Sequence, residues 1–212
     1  MRLEKFFDEA ARARVAEAVK AAEARTSGQI VPVVVERSGN YHVFLQPLSV
    51  TFGVTLFSLG LALFVPALNL TPLNVLVGAM VVVGLQIALG FIPAYARLIG
   101  AQQFEVAARQ RAMVAFVEHG VYRTREENGV LLFASIDERK VVVLGDRAVH
   151  EKLGDEHWKR AVESLVAGIK SGDAAGGFCT AIVDIGEEMS RAFPRGDEPP
   201  PNELSDELQI DR

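Results

Sequence analysis

Cysteine, runs of positive charge and the signatures of common catalysts are what this sequence has least of. One cysteine, Cys179, in 212 residues can close no internal disulfide and build no thiolate metal cluster, so no oxidising compartment is required. Lys and Arg number 22 against 27 Asp and Glu, for a formal net charge of −5. With no block of Lys or Arg to track phosphates, nucleic acid is excluded as a partner. There is no GxxxxGK(S/T), no GxGxxG after a strand, no GxSxG, no HExxH and no Cys-x-x-Cys, which removes the nucleotide-binding, hydrolase-elbow and zinc-protease classes. Cys179 has no arginine six positions on, and no Asp-x-Asp opens a strand-to-helix loop, so two familiar phosphotransfer nucleophiles are missing as well. Residues Met1 to Arg14 show no apolar core followed by a small-residue cleavage site, and no cleavable secretion signal is expected.

The most pronounced absence is local. From Ser38 to Ala96 there are 59 consecutive residues without Asp, Glu, Lys or Arg, so the other 153 residues are 32% charged. Within the gap, Pro47 to Val65 and Pro72 to Pro93 are each long enough to cross roughly 30 Å of hydrocarbon as a helix. Pro66 to Thr71 between them suits a tight reversal, with Thr71 and Pro72 placed as N-cap and first helical residue. The expectation is a two-helix transmembrane hairpin over residues 43–96. Small residues four apart, Ser49 with Gly53, Ser58 with Ala62 and Gly84 with Ala88, would let its helices approach closely. Arg25, Arg37, Arg97, Arg109 and Arg111 flank it and the connecting turn carries no charge, which predicts a two-pass protein of the cell (inner) membrane with both termini and the domain cytoplasmic. No ionisable Asp, Glu, Lys or Arg lies inside the gap, so transport is not indicated.

The charged remainder reads as a small α/β domain. Phe7, Ala11, Val15, Ala18 and Ala22 recur at helical spacing over residues 4–25, and Gly28 is placed for a left-handed cap. Gln29 to Glu36 is a β-branched strand, with Pro32 pointing to an edge or a bulge. Phe104, Ala108, Ala112 and Phe116 continue a helix over residues 97–118. Val130 to Ile136 and Lys140 to Leu144 form a hairpin about Asp137-Glu138-Arg139, its first strand internal to a sheet. Two stripes, Trp158 to Ile169 and Phe178 to Met189, predict closing helices. From Pro194 the Gly-, Pro- and acid-rich composition predicts a flexible tail, residues 194–212. The chain thus divides into 1–37 and 97–193, two parts of one mixed-sheet α/β domain with helices on both faces, around the insertion.

Candidate chemistry gathers at the hairpin: Asp137, Glu138 and Arg139 at the turn and Asp146 after the second strand. Carboxylates at strand ends can hold a divalent cation or act as acid and base, although turns also carry charge merely for solvation. Asp137 and Asp146 stand at opposite ends of one short strand. His150 and His157, with acids nearby, share no metal-ligand spacing, and His42 lies beside the uncharged gap. Trp158 reads as a core anchor.

Ala24 to Val34 (ARTSGQIVPVV), Gly129 to Ser135 followed by Glu138-Arg139, Trp158, and Pro201-Asn202-Glu203-Leu204 together resemble the TPM domain family, and within it the membrane-bound bacterial branch with a transmembrane hairpin inserted in the domain. The resemblance implies an α/β/α sandwich. It also implies relatives with weak acid phosphatase activity and with calcium bound through acidic residues, onto which Glu138 and Arg139, with Asp137 and Asp146 beside them, fall as matching positions. An Asp-bearing strand before the first helix, typical of secreted relatives, is replaced here by Leu3-Glu4-Lys5-Phe6-Phe7. The expectation is therefore a membrane-anchored, non-catalytic accessory module whose partners are the lipid bilayer and another membrane protein. The alternative is a weak metal-dependent phosphatase using Asp137, Glu138 and Asp146 with calcium or magnesium.

Overall fold

Strand β1 (Gln29–Val35) and strand β2 (Gly129–Ser135) are buried along their whole length, as expected of apolar, β-branched segments covered on both faces. They pair in parallel, Gln29 opposite Gly129 and Val35 opposite Ser135. Strand β3 (Lys140–Gly145) returns antiparallel to β2, and β4 (Gln209–Asp211) runs parallel to β1. The sheet is mixed, in the order β3-β2-β1-β4. The computed structural model describes residues 7–38, 93–196 and 202–211, together with Leu3, Gly53 and Met80. The chain divides into two compact units, Met1–Gly39 with Phe104–Arg212 and Asn40–Gln103.

Helices cover both faces of the sheet in the first unit. On one face lie α1 (Glu9–Glu23), α4 (Lys159–Ser171) and α5 (Ala174–Ala192). Val15, Val19, Leu165, Phe178, Ile182 and Met189 pack there with Ile30, Val34, Val130 and Leu132. On the other face, Ala108, Ala112 and Ala115 of α2 (Pro93–Glu118) pack with Val31, Val33, Leu131 and Phe133. A short helix, α3 (Arg147–Lys152), follows β3. Alternate residues of one strand thus feed two separate cores, the consequence of a side-chain period of two. Asp8 starts α1, accepting the Ala11 N–H at 2.7 Å, an N-cap worth about 1 kcal/mol. Phe7 just before it is fully buried, its ring edge-on to Phe178 with centroids 5.8 Å apart.

Four sequence expectations change. β1 is an internal strand despite Pro32, and the ladder shows why. Val35 C=O accepts the Ile136 N–H, so the odd-numbered residues of β1 bond to β2 and Pro32 faces the β4 side. There β4 pairs only from Val33 onward, so the N–H that proline lacks would have had no strand to meet. Gly28 is not a left-handed cap: α1 ends at Glu23 with Ala24 in right-handed geometry, and the Met189 methyl lies where a Cβ on Gly28 would stand. Left-handed glycines stand instead at the end of α4, Gly172 at φ 86°, and just past α2, Gly120 at φ 67°. The stretch read as a flexible tail instead supplies a strand: Leu208 is buried, Ile210 packs against the core, and Gln29 Oε1 accepts the N–H groups of Glu203 and Leu204 at 3.1 and 3.2 Å.

The fourth correction concerns the membrane. Among the described residues no helix is long and apolar enough to cross one, so a two-pass inner-membrane protein with a cytoplasmic domain is not supported. The physical reason lies in the two longest of the described helices, of 26 and 19 residues. Charges interrupt both, Arg97, Glu105, Arg109, Arg111 and Glu118 in α2 and Asp184, Glu187, Glu188 and Arg191 in α5. The rest of the predicted hairpin, residues 43–92 apart from Gly53 and Met80, lies outside the described residues.

Candidate functional site

Parallel strands gather ligands at their carboxyl ends, where loops diverge. Here β1 leaves the sheet through Glu36, Arg37 and Ser38 beside the β2–β3 turn. The Ile136 and Asp137 N–H groups donate to Val35 and Glu36 C=O at 3.1 Å each, prolonging the ladder past the strands. The turn closes with Arg139 in the left-handed region, φ 53°. Such backbone is unusual for a residue with a Cβ and tends to mark turns or functional sites.

Side chains reinforce this junction. Arg37 Nη2 meets Asp137 Oδ2 at 3.0 Å. Glu138 accepts the Ser38 N–H at 3.1 Å through one oxygen and the Ser135 hydroxyl through the other. Glu138 therefore fastens residues roughly 100 positions apart, and both its oxygens are engaged in doing so. Ser38 Oγ is buried without a hydrogen-bond partner.

Of the four residues singled out from sequence, Asp137, Glu138 and Arg139 are together and Asp146 is apart. Asp146 lies beyond the far end of the six-residue β3, roughly 20 Å away at 3.4 Å per residue. It is the N-cap of α3, accepting the Arg147 N–H at 2.7 Å, and its Oδ2 is buried without a partner. Calcium requires six to eight oxygens and magnesium a near-octahedral set. Asp137 and Glu138 are engaged by Arg37, Ser38 and Ser135, Asp146 is at the other end, and among the described residues no three His, Cys, Asp or Glu side chains converge. These donors do not fit a calcium or magnesium ion.

Past the turn, a groove of 440 Å³ runs along β3. Val141, Val143, Trp158 and Val162 line its apolar part, and Arg109, Arg139 and Lys140 stand around it with Glu105, whose carboxylate is 3.5 Å from Lys140 Nζ. Arg139 thus belongs to both the turn and the groove. Trp158, 5% exposed, is the core anchor its helical stripe indicated and also a wall of this groove.

A second polar site escaped the sequence reading. Glu23, the last residue of α1, accepts the Ile30 N–H at 2.8 Å and lines a 180 Å³ pocket with Lys20, Gln29, Arg195 and Asn202. Burial pushes its carboxyl from 4.5 up to about 7, and neighbouring Asp206 adds to the rise, against the lowering effect of the Ile30 hydrogen bond and Arg195. The available signal was its place one residue after the core position Ala22, at the buried end of an amphipathic helix. On the other face, Asp211 of β4 takes Arg111 at 3.0 Å and His119 at 3.2 Å. His157 Nδ1 lies 3.3 Å from Gly154 C=O. His42 lies outside the described residues.

The TPM domain family model matches residues 87–188. Among solved structures, the chain is similar to the NMR structure of the BA42 protein from the psychrophilic bacterium Bizionia argentinensis, at 17% identity over 97% of this chain and 96% of that one, with a TM-score of 0.59. At that identity the likeness is one of fold. No curated protein matches the chain. The likeness to the TPM domain is thus a match over residues 87–188, and the membrane-bound branch with an inserted hairpin is not shown.

Proposed function

We propose that this domain is a non-catalytic accessory module that presents the hairpin and the adjoining groove to a protein partner. One observation carries the reading: the hairpin carboxylates are already engaged, Asp137 by Arg37 and Glu138 by Ser38 and Ser135. Each of these bonds directs a carboxylate oxygen at the junction of the strands rather than at a substrate, and a cation needs six or more oxygens converging on it. These side chains instead fix the exit of β1 against the β2–β3 turn and so hold the groove's end rigid.

The test has two arms. The full chain is assayed on a chromogenic phosphate ester with and without calcium or magnesium, beside Asp137→Ala and Glu138→Ala. The expected result is no turnover that depends on either side chain; turnover abolished by both would make the hairpin catalytic and establish the phosphatase alternative. In the second arm, affinity purification with mass spectrometry should recover the same partner protein reproducibly, and recovery of none would contradict the module.

A further inference from the structure

The sheet ends in the six-residue β3 on one side and in the three-residue β4 on the other, with no strand among the described residues beyond either. At the β4 edge an extended segment lies along β1 with its apolar residues inward, Leu208 buried and Ile210 packed on the core. Asp211 projects to the opposite face, where Arg111 and His119 at the end of α2 hold it at 3.0 and 3.2 Å. This sheet therefore already takes, in cis, a short strand, Gln209-Ile210-Asp211, with an apolar residue on one face and an acid on the other that α2 meets with a cation.

At the other edge, no strand among the described residues pairs with the outer side of β3. The Asp146 N–H donates to Gly129 C=O at 2.9 Å. Alternation along an antiparallel ladder then directs the N–H and C=O groups of Val141, Val143 and Gly145 away from β2. The 440 Å³ groove follows this edge, with Ala108 and Arg109 of α2 on one face and Trp158, Val162 and Val166 on the other. Its charge is one-sided, three cations (Arg109, Arg139 and Lys140) against the single carboxylate of Glu105, which lies 3.5 Å from Lys140. Arg109 stands two residues from Arg111, the side chain that serves the β4 edge.

We propose that the β3 edge docks an extended, acidic segment of a partner protein as an added strand, a proposal that rests on the module reading above. Backbone groups directed outward from β3 call for an extended polypeptide. The valine and tryptophan wall calls for apolar residues at alternate positions, and the cations call for acids between them. The chain's own acidic C-terminal segment is already committed to the β4 edge.

Trp158 is the only tryptophan in the chain, so its fluorescence reports on the groove alone. A capped hexapeptide alternating glutamate and valine is titrated into the full chain. A saturable change is expected, with binding at least about tenfold weaker for three comparisons: the lysine–valine peptide, the glutamate–valine peptide N-methylated at valine, and the chain carrying Arg109→Glu and Arg139→Glu. Both arginines are exposed, and circular dichroism checks that the doubly substituted chain is folded. Equal response to the two peptides, undiminished binding by the charge-reversed chain, or no saturable change overturns the assignment. So does a doubled mass in light scattering that the substitutions abolish, since the occupant would then be a second copy. If the peptide fails while wild-type and charge-reversed chains recover the same partner, docking lies elsewhere and the module reading stands. Turnover that requires Asp137 and Glu138 would instead remove the module reading itself.

Discussion

The two edges of the sheet begin from similar chemistry and end differently. β1 faces the β4 side with a proline, a backbone N–H at Ile30 that Glu23 caps, and three residues that pair with β4. β3 faces outward with every residue half-buried and no strand beside it among the described residues. α2 lies across the sheet between them, giving Arg111 to the β4 edge and Arg109 to the β3 edge. An edge strand invites pairing unless something covers it. The shortness of β4, three residues beside the six of β3, makes β3 the place where an added strand fits. The two polar features differ as well: the acids at the β4 edge are consumed in holding it, whereas the cations at the β3 edge outnumber their acid.

Substitutions can break the contrast, and the largest effects belong to the β4 edge. Leu208→Ala, removing a side chain 6% exposed, should cost about 3 kcal/mol in urea unfolding, as buried leucine truncations do. A loss below roughly 1 kcal/mol would mean that β4 merely lies on the sheet. Glu23 gives a pH-dependent test. Its folded carboxyl titrates at about 7 against 4.5 unfolded, so below 4.5 both states are protonated and its contribution is fully favourable. As pH rises toward 7 the unfolded state ionises first and that stability is lost. Glu23→Gln keeps an acceptor for the Ile30 N–H, so it should leave stability unchanged near pH 4 and raise it above pH 7 by about 1 to 2 kcal/mol, less than the full linkage value because the side chain is partly exposed. A gain that appears instead at low pH would refute the assignment. Asp211→Ala should cost about 1 kcal/mol, less in high salt, because Arg111 keeps Glu118 at 3.0 Å. At the β3 edge, Lys140→Ala should change stability by less than about 0.5 kcal/mol yet weaken binding of the glutamate–valine peptide. An effect on folding as large as that of Leu208→Ala would show that β3 is not a free edge.

Much of the fold was legible because its signals are local. The β-branched run at Gln29 to Glu36 announced a doubly covered strand, the run at Val130 to Ile136 an internal one, and Asp137-Glu138-Arg139 the turn between β2 and β3. The stripes ending at Ile169 and Met189 became α4 and α5. What was not legible depends on distant partners. Gln209-Ile210-Asp211 has the composition of a tail and becomes a strand only because Leu208 and Ile210 find core and Arg111 finds Asp211. Glu23 looks like one more charge on a helix until Ile30, seven residues on, turns its N–H toward it. Pro32 argued for an edge, and only the length of β4 explains its place inside the sheet. Asp137, Glu138 and Arg139 lie in the turn where the hairpin was expected, but the donors that meet the two carboxylates, Arg37, Ser38 and Ser135, follow from register rather than from any motif.

Amide hydrogen exchange along β3 tests the account most directly. In the free chain, the N–H groups of Val142 and Leu144, directed at β2, should be protected, while those of Val141 and Val143, directed outward, exchange rapidly. Adding the glutamate–valine peptide should slow Val141 and Val143 by at least about tenfold and leave the lysine–valine peptide without effect. Outward amides already protected in the free chain, or unchanged at saturating acidic peptide, would contradict an open edge that receives a partner's strand.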